Sequence, residues 1–169
     1  YINAKKSIFE FQDKNDKVVL NYDNEITKSM GKEAESKVVF FSRKTKLEDG
    51  IICQDGIIKE CQDGVCRHLL NTNDIHLKGE HNFENICAAI AATSDLVSPE
   101  LQAEAIKEFK GVEHRLEFVR ELDGVKWYND SIGTSPTRTI AGLNSFKEKI
   151  VLIAGGYDKN LDYTPIAKL

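Results

Sequence analysis

The sequence has few of the features that mark nucleic-acid-binding or membrane proteins. Lysine and arginine together number 23, fewer than the 27 aspartates and glutamates, and the net charge of -4 provides no broad basic surface. Nucleic acid is therefore not an expected partner. No apolar run approaches the roughly 20 residues needed to span a bilayer, and no signal peptide opens the chain. We expect a cytoplasmic protein that does not bind membranes.

Cysteine is also scarce, and its spacing argues against a zinc site. The four cysteines are Cys53, Cys61, Cys66 and Cys87. They lack the close pairs of zinc-binding motifs, and only His68 supplies an imidazole near Cys66. We expect reduced thiols without a bound metal, as is usual for cytosolic proteins.

The length and the two ends suggest part of a longer protein. With 169 residues, of which 41% are hydrophobic, the chain can form one domain, or one domain plus a piece of a second. It begins at Tyr1 without an initiator methionine and ends shortly after Pro165, where a helix is predicted to start. We expect both ends to lie within a larger chain.

The amino-terminal part has the spacing of a parallel strand–helix–strand unit. Apolar residues at 2–12 are compatible with a helix. The apolar runs at 17–22 and 37–42 indicate buried strands, and residues 24–34 a short helix between them. This order predicts two parallel strands joined by a helix.

The central part consists of short β-prone runs at 51–53, 57–59 and 65–70. These runs are separated by Asp55-Gly56 and Asp63-Gly64. Both dipeptides suit two-residue hairpin turns, because aspartate and glycine tolerate positive φ. The pattern predicts an antiparallel meander.

The carboxyl-terminal part alternates helices and strands again. A new alternation begins near 111–113, so we predict a domain boundary there. Ser-Pro pairs provide a cap and a first-turn proline for two of the helices. The predicted elements are a helix at 82–95, a helix from Ser98-Pro99 to Gly111, a hairpin around Asp123-Gly124, a helix from Ser135-Pro136 to Leu143, and an apolar strand at 150–154 followed by Gly155-Gly156.

Two asparagines lie at the start of the helix predicted at 82–95. Asn82 and Asn85 are three residues apart and share a helix face, from which two amides could contact a base or a ribose. The alternative is that Asn82 caps the helix. On these residues alone, capping is the better interpretation.

An arginine follows Gly111 in the sequence Gly-Val-Glu-His-Arg-Leu-Glu. The planar guanidinium of Arg115 is suited to bidentate contact with a phosphate. The alternative is a surface ion pair between Arg115 and Glu113 or Glu117. On spacing alone, the ion pair is the better interpretation.

Two apolar strands are followed by polar loops that carry aspartate. One loop contains Asp130 in the sequence WYNDSIGTSP, and the other contains Asp158 in the sequence IVLIAGGYDK. In open α/β sheets, ligands bind at the carboxyl ends of strands, and turns before helices present N–H groups to anions. The two loops together predict a ligand site.

Read in order, these motifs resemble the Mur ligase family. The Asn-Asp-Ser-x-x-Thr form of the third motif is similar to the branch that adds D-glutamate to UDP-N-acetylmuramoyl-L-alanine. The resemblance covers nearly the whole chain. The matching strings are His81-Asn-x-x-Asn85, Gly111-x-x-His114-Arg115-x-Glu117, Trp127-Tyr-Asn-Asp130-Ser131-x-x-Thr134 and Gly155-Gly156-x-Asp158-Lys159.

The resemblance implies an α/β fold divided between two domains. Residues 1–112 would be the later part of a central ATP-binding domain, which has a mixed sheet with antiparallel hairpins. Residues 113–169 would be the first part of a carboxyl-terminal, dinucleotide-fold-like α/β domain that binds the amino acid. A Gly-rich P-loop and a UDP-binding domain are expected upstream. The implied protein is a cytoplasmic, monomeric ligase of peptidoglycan precursor synthesis.

The resemblance also implies ligands and residue roles. The ligands are ATP, Mg²⁺, D-glutamate and UDP-N-acetylmuramoyl-L-alanine. Lys5 matches a lysine that becomes carbamylated and helps to hold Mg²⁺, since a lysine that captures CO₂ becomes a metal-binding carbamate. The implied roles are ATP binding for Asn82, Asn85, His114, Arg115 and Asp130, binding of the D-glutamate carboxylates for Thr134 and Lys159, and catalysis for Lys5, Arg115 and Asp130.

The implied reaction proceeds through an acyl phosphate. ATP phosphorylates the L-alanyl carboxylate, the amine of D-glutamate attacks, and phosphate leaves from a tetrahedral intermediate; catalysis is mainly positioning and charge neutralisation. One departure is Ile132, where many members have a lysine, so its phosphate contact would come from elsewhere, for example from Arg138. Two alternatives stay open: a related Mur or folylpolyglutamate-type ligase, and a non-catalytic nucleotide-binding module.

Overall fold

A computed structural model describes all residues, 1–169, and divides the chain into two compact units. The amino-terminal unit contains residues 1–75 and 82–108, and the carboxyl-terminal unit contains residues 76–81 and 109–169. Helices and strands are both present in each unit. The predicted α/β class is confirmed.

A five-stranded mixed sheet forms the centre of the amino-terminal unit. Its spatial order follows the chain order, with three parallel strands at one side and an antiparallel meander at the other. The strands are β1 (Lys17–Asn21), β2 (Lys37–Ser42), β3 (Gly50–Gln54), β4 (Ile57–Gln62) and β5 (Val65–Asn71).

The strand–helix–strand prediction is confirmed. Strands β1 and β2 pair in parallel, and α2 (Glu25–Met30) connects them. Asn24 caps α2, because its Oδ1 accepts hydrogen bonds from the backbone N–H groups of Ile26 and Thr27. The preceding helix, α1 (Ile2–Lys6), is shorter than the apolar pattern at 2–12 predicts.

The antiparallel hairpins are confirmed as well. At both turns the aspartate and the glycine have positive φ: 53° and 73° at Asp55 and Gly56, and 51° and 77° at Asp63 and Gly64. Two consecutive residues with positive φ give a turn whose twist matches the flanking strands. The Asp-Gly dipeptides therefore determine the β3–β4–β5 meander.

The core of this unit is aliphatic. Ile52 and Ile58 on the meander are almost fully buried, as is Leu70 on β5. Helix α3 (Glu80–Thr93) contributes the buried Cys87 and Ile90. Helix α4 (Pro99–Glu108) is held to α3 by Gln102, whose Nε2 donates to the Ile90 carbonyl at 3.1 Å.

The cysteine prediction is wrong for two of the four residues. Cys61 and Cys66 lie opposite each other in the β4–β5 hairpin and form a disulfide. Zinc spacing gives no information about cross-strand register, and the Asp63-Gly64 turn brings these two residues together. Cys53 and Cys87 are buried and form no disulfide. Burial raises the pKa of the Cys87 thiol, which makes it a poor nucleophile.

The carboxyl-terminal unit is built on the predicted hairpin around Asp123-Gly124. Its strands are β6 (Glu117–Leu122) and β7 (Val125–Asn129), and α5 (Pro136–Leu143) follows. The ring of Tyr128 packs edge-to-face on Phe118 and Phe146, at centroid distances of 5.5 and 4.9 Å. The Nζ of Lys78 donates to the Tyr128 hydroxyl at 3.0 Å. This contact anchors the segment 76–81 within the unit.

The predicted strand at 150–154 does not form. These residues join no sheet, and Val151 and Ile153 are 91% and 82% exposed. A strand needs hydrogen bonds from a neighbour, and the only sheet of this unit is the β6–β7 pair. Apolar composition alone therefore does not make a strand of this segment.

No helix in the structure has both the length and the apolar character needed to cross a membrane.

Candidate functional site

The two asparagines predicted to contact a nucleotide lie on the first turns of α3. Asn82 is 8% exposed and Asn85 is exposed, and the Asn85 Nδ2 donates to the Asn82 Oδ1 at 3.3 Å. Helix α3 begins at Glu80, so Asn82 is inside the helix rather than at its cap. The side-chain amides of Asn82 and Asn85 are thus on one helix face, as their spacing predicts. Asn82 is not the N-cap of the helix.

Arg115 lies in a tightly constrained loop, the Arg115 loop (residues 111–116), which precedes β6. The two residues next to Arg115 in the chain, His114 and Leu116, have φ values of 65° and 47°. Residues other than glycine rarely adopt this region, and each such residue costs about 1–3 kcal/mol. Non-glycine backbone of this kind occurs often at functional sites, where surrounding contacts maintain it.

Three hydrogen bonds attach the backbone on either side of Arg115 to residues outside the loop, and the Arg115 N–H donates to the Val112 carbonyl within it at 3.3 Å. The His114 N–H donates to the Glu117 Oε2 at 2.8 Å, and the His114 carbonyl accepts from the Ile132 N–H at 3.2 Å. The Leu116 N–H donates to the Asp130 Oδ1 at 3.1 Å. The loop is therefore attached both to the start of β6 and to the polar loop after β7.

The ion-pair alternative for Arg115 is not observed. The side chain is exposed, and it makes no hydrogen bond or ion pair within the protein. Neither suggested partner, Glu113 or Glu117, pairs with it, and Glu117 instead accepts hydrogen bonds from His114 and Asn129. The five N–H donors of a guanidinium at this position are available to an anion.

Asp130 follows β7 and has one carboxylate oxygen in use. Its Oδ1 binds the Leu116 N–H, and its Oδ2 lies against two glycines. A Cβ added at Gly133 or Gly142 would lie 2.8 or 3.2 Å from that oxygen. The absence of side chains at these two positions makes room for the carboxylate.

Thr134 and Lys159 are both exposed, and no contact joins them. Lys159 makes no ion pair with a neighbouring aspartate. The Oδ1 atoms of Asp158 and Asp162 accept instead from the backbone N–H groups of Asn160 and Thr164. The hydrogen bonds from Thr164 lower the pKa of Asp162.

Lys5 lies on α1, and its side chain is exposed. Its ammonium is 5.3 Å from the centre of the Tyr1 ring. The adjacent Lys6 is occupied by Glu33, with Nζ–Oε distances of 2.6 and 2.8 Å. Of the two neighbouring lysines, Lys5 is therefore the one without a carboxylate partner.

The structure shows a polar cluster that the sequence reasoning missed. Asp23 follows β1, and its carboxylate binds the segment after β2. It accepts from the Ser42 Oγ at 2.7 Å, from the Arg43 and Lys44 N–H groups at 2.7 and 3.0 Å, and from the Thr45 Oγ1 at 3.2 Å. The available signal was the position of these residues, because polar groups at the carboxyl ends of adjacent parallel strands lie close together.

The Asp23 cluster has a defined dependence on pH. Burial alone would raise the pKa of Asp23, but the hydrogen bonds from Ser42, Arg43, Lys44 and Thr45 outweigh it and lower the pKa. The folded pKa is thus below the unfolded value of about 3.9. The stabilisation is present above the unfolded pKa and is lost as the pH falls through the folded pKa.

We therefore expect Asp23→Ala to lower the free energy of unfolding by about 1–3 kcal/mol at pH 7, because several donors lose a charged acceptor. Urea denaturation between pH 7 and pH 2 measures the difference from the unmodified protein, which should disappear at the acid end. Glu35→Ala, which removes an exposed acid without a hydrogen bond, is the control. A deficit that stays constant down to pH 2 would contradict the assignment.

Comparisons with known proteins agree with the motif order. Residues 1–93 match the family model of the Mur ligase middle domain. The chain is 50% identical, over 96% of its length, to UDP-N-acetylmuramoylalanine–D-glutamate ligase of Acetivibrio thermocellus, of which it covers 35%. It is 51% identical, over 99% of its length, to the ligase of the same name from Clostridium novyi, of which it covers 36%. The chain thus spans about a third of the length of these relatives.

The fold is also found among solved structures. The UDP-N-acetylmuramoylalanyl-D-glutamyl-2,6-diaminopimelate–D-alanyl-D-alanyl ligase of Acinetobacter baumannii superposes with a TM-score of 0.66 at 18% identity, over 85% of this chain and 32% of that one. At this identity the match concerns the fold alone. The family model, which covers more than half of the chain, shows that the chain belongs to the Mur ligase family.

Proposed function

We propose that the chain is part of an ADP-forming ligase that adds D-glutamate to UDP-N-acetylmuramoyl-L-alanine in peptidoglycan precursor synthesis. The observation that carries the proposal is the identity of about half the residues, over almost the whole chain, with ligases named for that reaction. The exposed guanidinium of Arg115, between two residues with positive φ, supports a functional role for this loop.

Arg115 is the proposed contact for the ATP phosphates. Its fork can bind two oxygens of one phosphoryl group and neutralise charge that develops as the group is transferred. The loop positions the arginine without using its side chain, so no ion pair must break when ATP binds. Asn82 and Asn85 are proposed to contact the nucleotide. His114 and Asp130 are also proposed to bind ATP, with Asp130 contacting the ribose or a metal-bound water.

Thr134 and Lys159 are the proposed contacts for the carboxylates of D-glutamate. Both side chains are exposed and lack a protein partner, and Lys159 supplies a positive charge. They are the last residues of the third and fourth motifs, to which the resemblance assigns the binding of the amino acid. Arg138, also without a side-chain partner, is proposed to replace the lysine absent at Ile132.

Mg²⁺ is proposed as a cofactor, with Lys5 as a carbamate ligand. The protein has no group of three or more His, Cys, Asp or Glu side chains that could hold a metal. Mg²⁺ often retains waters and takes only one or two protein ligands besides substrate phosphates. A carbamate on the exposed Lys5 would supply two oxygens, so this residue is compatible with such a site. When bound, Mg²⁺ would neutralise phosphate charge.

The domain assignment follows from the same proposal. We propose residues 1–112 as the later part of the central ATP-binding domain and residues 113–169 as the first part of the amino-acid-binding domain. A cytoplasmic, monomeric enzyme with small-molecule substrates is the corresponding proposal for its location and state. The match of residues 1–93 to the middle domain supports the first range.

The test is the amino-acid dependence of ADP release. A full-length ligase that carries this chain is assayed with ATP, Mg²⁺ and UDP-N-acetylmuramoyl-L-alanine, with D-glutamate, L-glutamate, L-lysine or D-alanyl-D-alanine supplied in turn. We expect rapid release with D-glutamate alone. The 169 residues by themselves contain no Gly-x-x-Gly-Lys-[Ser/Thr] sequence and should release no phosphate above background.

Three results would contradict the proposal. Release that depends on another amino acid would assign the chain to a different ligase, including the folylpolyglutamate type. Binding of ATP without release of ADP under any of these conditions would indicate a non-catalytic nucleotide-binding module. Robust turnover by the 169 residues alone would contradict the proposed division of work between this chain and a separate P-loop.

A further inference from the structure

We propose that Glu117 is a positioning residue, which holds the Arg115 loop in the conformation that directs the guanidinium towards phosphate. The inference rests on the proposed function of Arg115 and adds to it a residue that has no role in the motif assignment. Glu117 would not touch ATP. It would act through the backbone of His114, one residue before Arg115.

The position of Glu117 is fixed by the hairpin. It is the first residue of β6, and the β6–β7 register pairs it with Asn129, the last residue of β7. Asn129 Nδ2 lies 3.3 Å from Glu117 Oε2 and 2.9 Å from His114 Nδ1. The antiparallel pair thus provides a rigid base, from which the Glu117 carboxylate reaches the loop.

The Glu117 carboxylate acts where the loop is strained. Its Oε2 accepts the His114 N–H at 2.8 Å, at one of the two residues with positive φ. Without an acceptor at this position, His114 can relax towards the common backbone regions, and the direction of the next side chain changes with it. A displacement of about 1 Å at a catalytic group can reduce a rate by roughly a hundredfold.

The other two contacts to the loop do not replace Glu117. Asp130 holds Leu116, on the far side of Arg115, and Ile132 donates to the His114 carbonyl. Asp130 is also assigned to the ATP site, so substitutions there change two functions at once. Substitution of Glu117 leaves Asp130 in place and removes the acceptor of the His114 N–H, although the same oxygen also lies 3.7 Å from the His114 Nδ1.

Two substitutions distinguish the effect of the length of the Glu117 side chain (its reach) from the effect of its charge. Glu117→Gln keeps the length and an acceptor oxygen but loses the charge, whereas Glu117→Asp keeps the charge and withdraws the oxygen by one methylene. In a full-length ligase that carries this chain, we expect Glu117→Gln to retain most of kcat, and Glu117→Asp and Glu117→Ala to lose roughly tenfold to a hundredfold. Glu121→Ala, an exposed acid on the same strand without a hydrogen bond, is the control.

A double-mutant cycle tests whether Glu117 acts through Arg115. We expect Glu117→Ala to reduce kcat strongly in the presence of Arg115 and by less than about twofold when combined with Arg115→Ala. If Glu117→Ala does not fold, the comparison of Glu117→Gln with Glu117→Asp still decides between reach and charge. Thermal denaturation midpoints identify any loss of activity that comes from unfolding.

Three results would overturn the inference. Equal reductions by Glu117→Ala with and without Arg115 would show that Glu117 acts independently of Arg115. Better activity of Glu117→Asp than of Glu117→Gln would show that the charge, not the reach, matters. An Arg115→Ala variant with normal kinetics would remove the proposed role of Arg115 itself, and this result is distinguishable because it concerns a variant in which Glu117 is intact.

Discussion

Arg115→Lys is expected to reduce kcat by about tenfold to a thousandfold in a full-length ligase that carries this chain. The lysine keeps the positive charge but replaces a planar fork of five donors with a single ammonium. Because the loop holds the backbone of Arg115 on both sides, the shorter ammonium cannot recover the lost geometry by moving the chain. Steady-state kinetics with saturating D-glutamate measure the effect.

The matched control is Arg120→Lys. Arg120 lies on β6, is exposed, and has no hydrogen bond or ion pair, so its substitution should leave the rate unchanged. Arg115→Lys with normal kinetics would mean that the exposed guanidinium is only a surface charge. A similar loss for both variants would indicate a general effect of replacing a guanidinium by an ammonium in this part of the enzyme, rather than the loss of a specific contact of Arg115.

Lys159→Ala is expected to raise KM for D-glutamate at least tenfold, with little change in KM for ATP. The ammonium of Lys159 has no partner in the protein, and the neighbouring Asp158 and Asp162 are engaged by backbone N–H groups. A salt bridge between an ammonium and a substrate carboxylate in a closed site contributes about 1.5–3 kcal/mol. Its loss should therefore appear mainly in the amino-acid KM.

Lys149→Ala provides the comparison for Lys159. Lys149 is exposed and its side chain makes no contact. It precedes the apolar segment 150–154, which Lys159 follows. Initial rates over a matrix of D-glutamate and ATP concentrations give both KM values. Equal changes in the two KM values, or no change in either, would remove Lys159 from the D-glutamate site.

The elements that depend on local chemistry could be predicted from the sequence. The Asp-Gly dipeptides at 55–56, 63–64 and 123–124 each lie at a hairpin turn, where all three aspartates have positive φ. The parallel β1–α2–β2 unit followed from two apolar runs with a short helix between them. In these cases the residues that form the element also contain the signal for it.

The features that depend on partners distant in sequence could not be predicted in this way. The run at 150–154 has strand composition, but a strand forms only where a neighbour supplies hydrogen bonds. Similarly, the Cys61–Cys66 bond depends on register, because the two residues become opposite only once the hairpin is formed. Composition and spacing describe a segment, whereas these features belong to pairs of segments.

The candidate site shows the same division. The motif resemblance identified Arg115 and Asp130, but it gave no role to Glu117 or Asn129. Those two residues are distant in the sequence. They meet because the β6–β7 register places the last residue of β7 beside the first residue of β6. The positive φ values at His114 and Leu116 are likewise properties of the folded loop. With these values, Arg115 is no longer interpreted as a member of a surface ion pair. It is a residue whose backbone is fixed and whose side chain has no partner in the protein.

Isotope transfer tests the proposal that this chain is part of a ligase in which ATP phosphorylates the alanyl carboxylate before D-glutamate attacks. UDP-N-acetylmuramoyl-L-alanine labelled with ¹⁸O in the alanyl carboxylate is converted with ATP and D-glutamate by a full-length ligase that carries this chain. We expect one carboxylate oxygen to leave with phosphate, so that each new amide is accompanied by one ¹⁸O in the released phosphate. Amide formation with unlabelled phosphate, or with ¹⁸O in AMP, would contradict it.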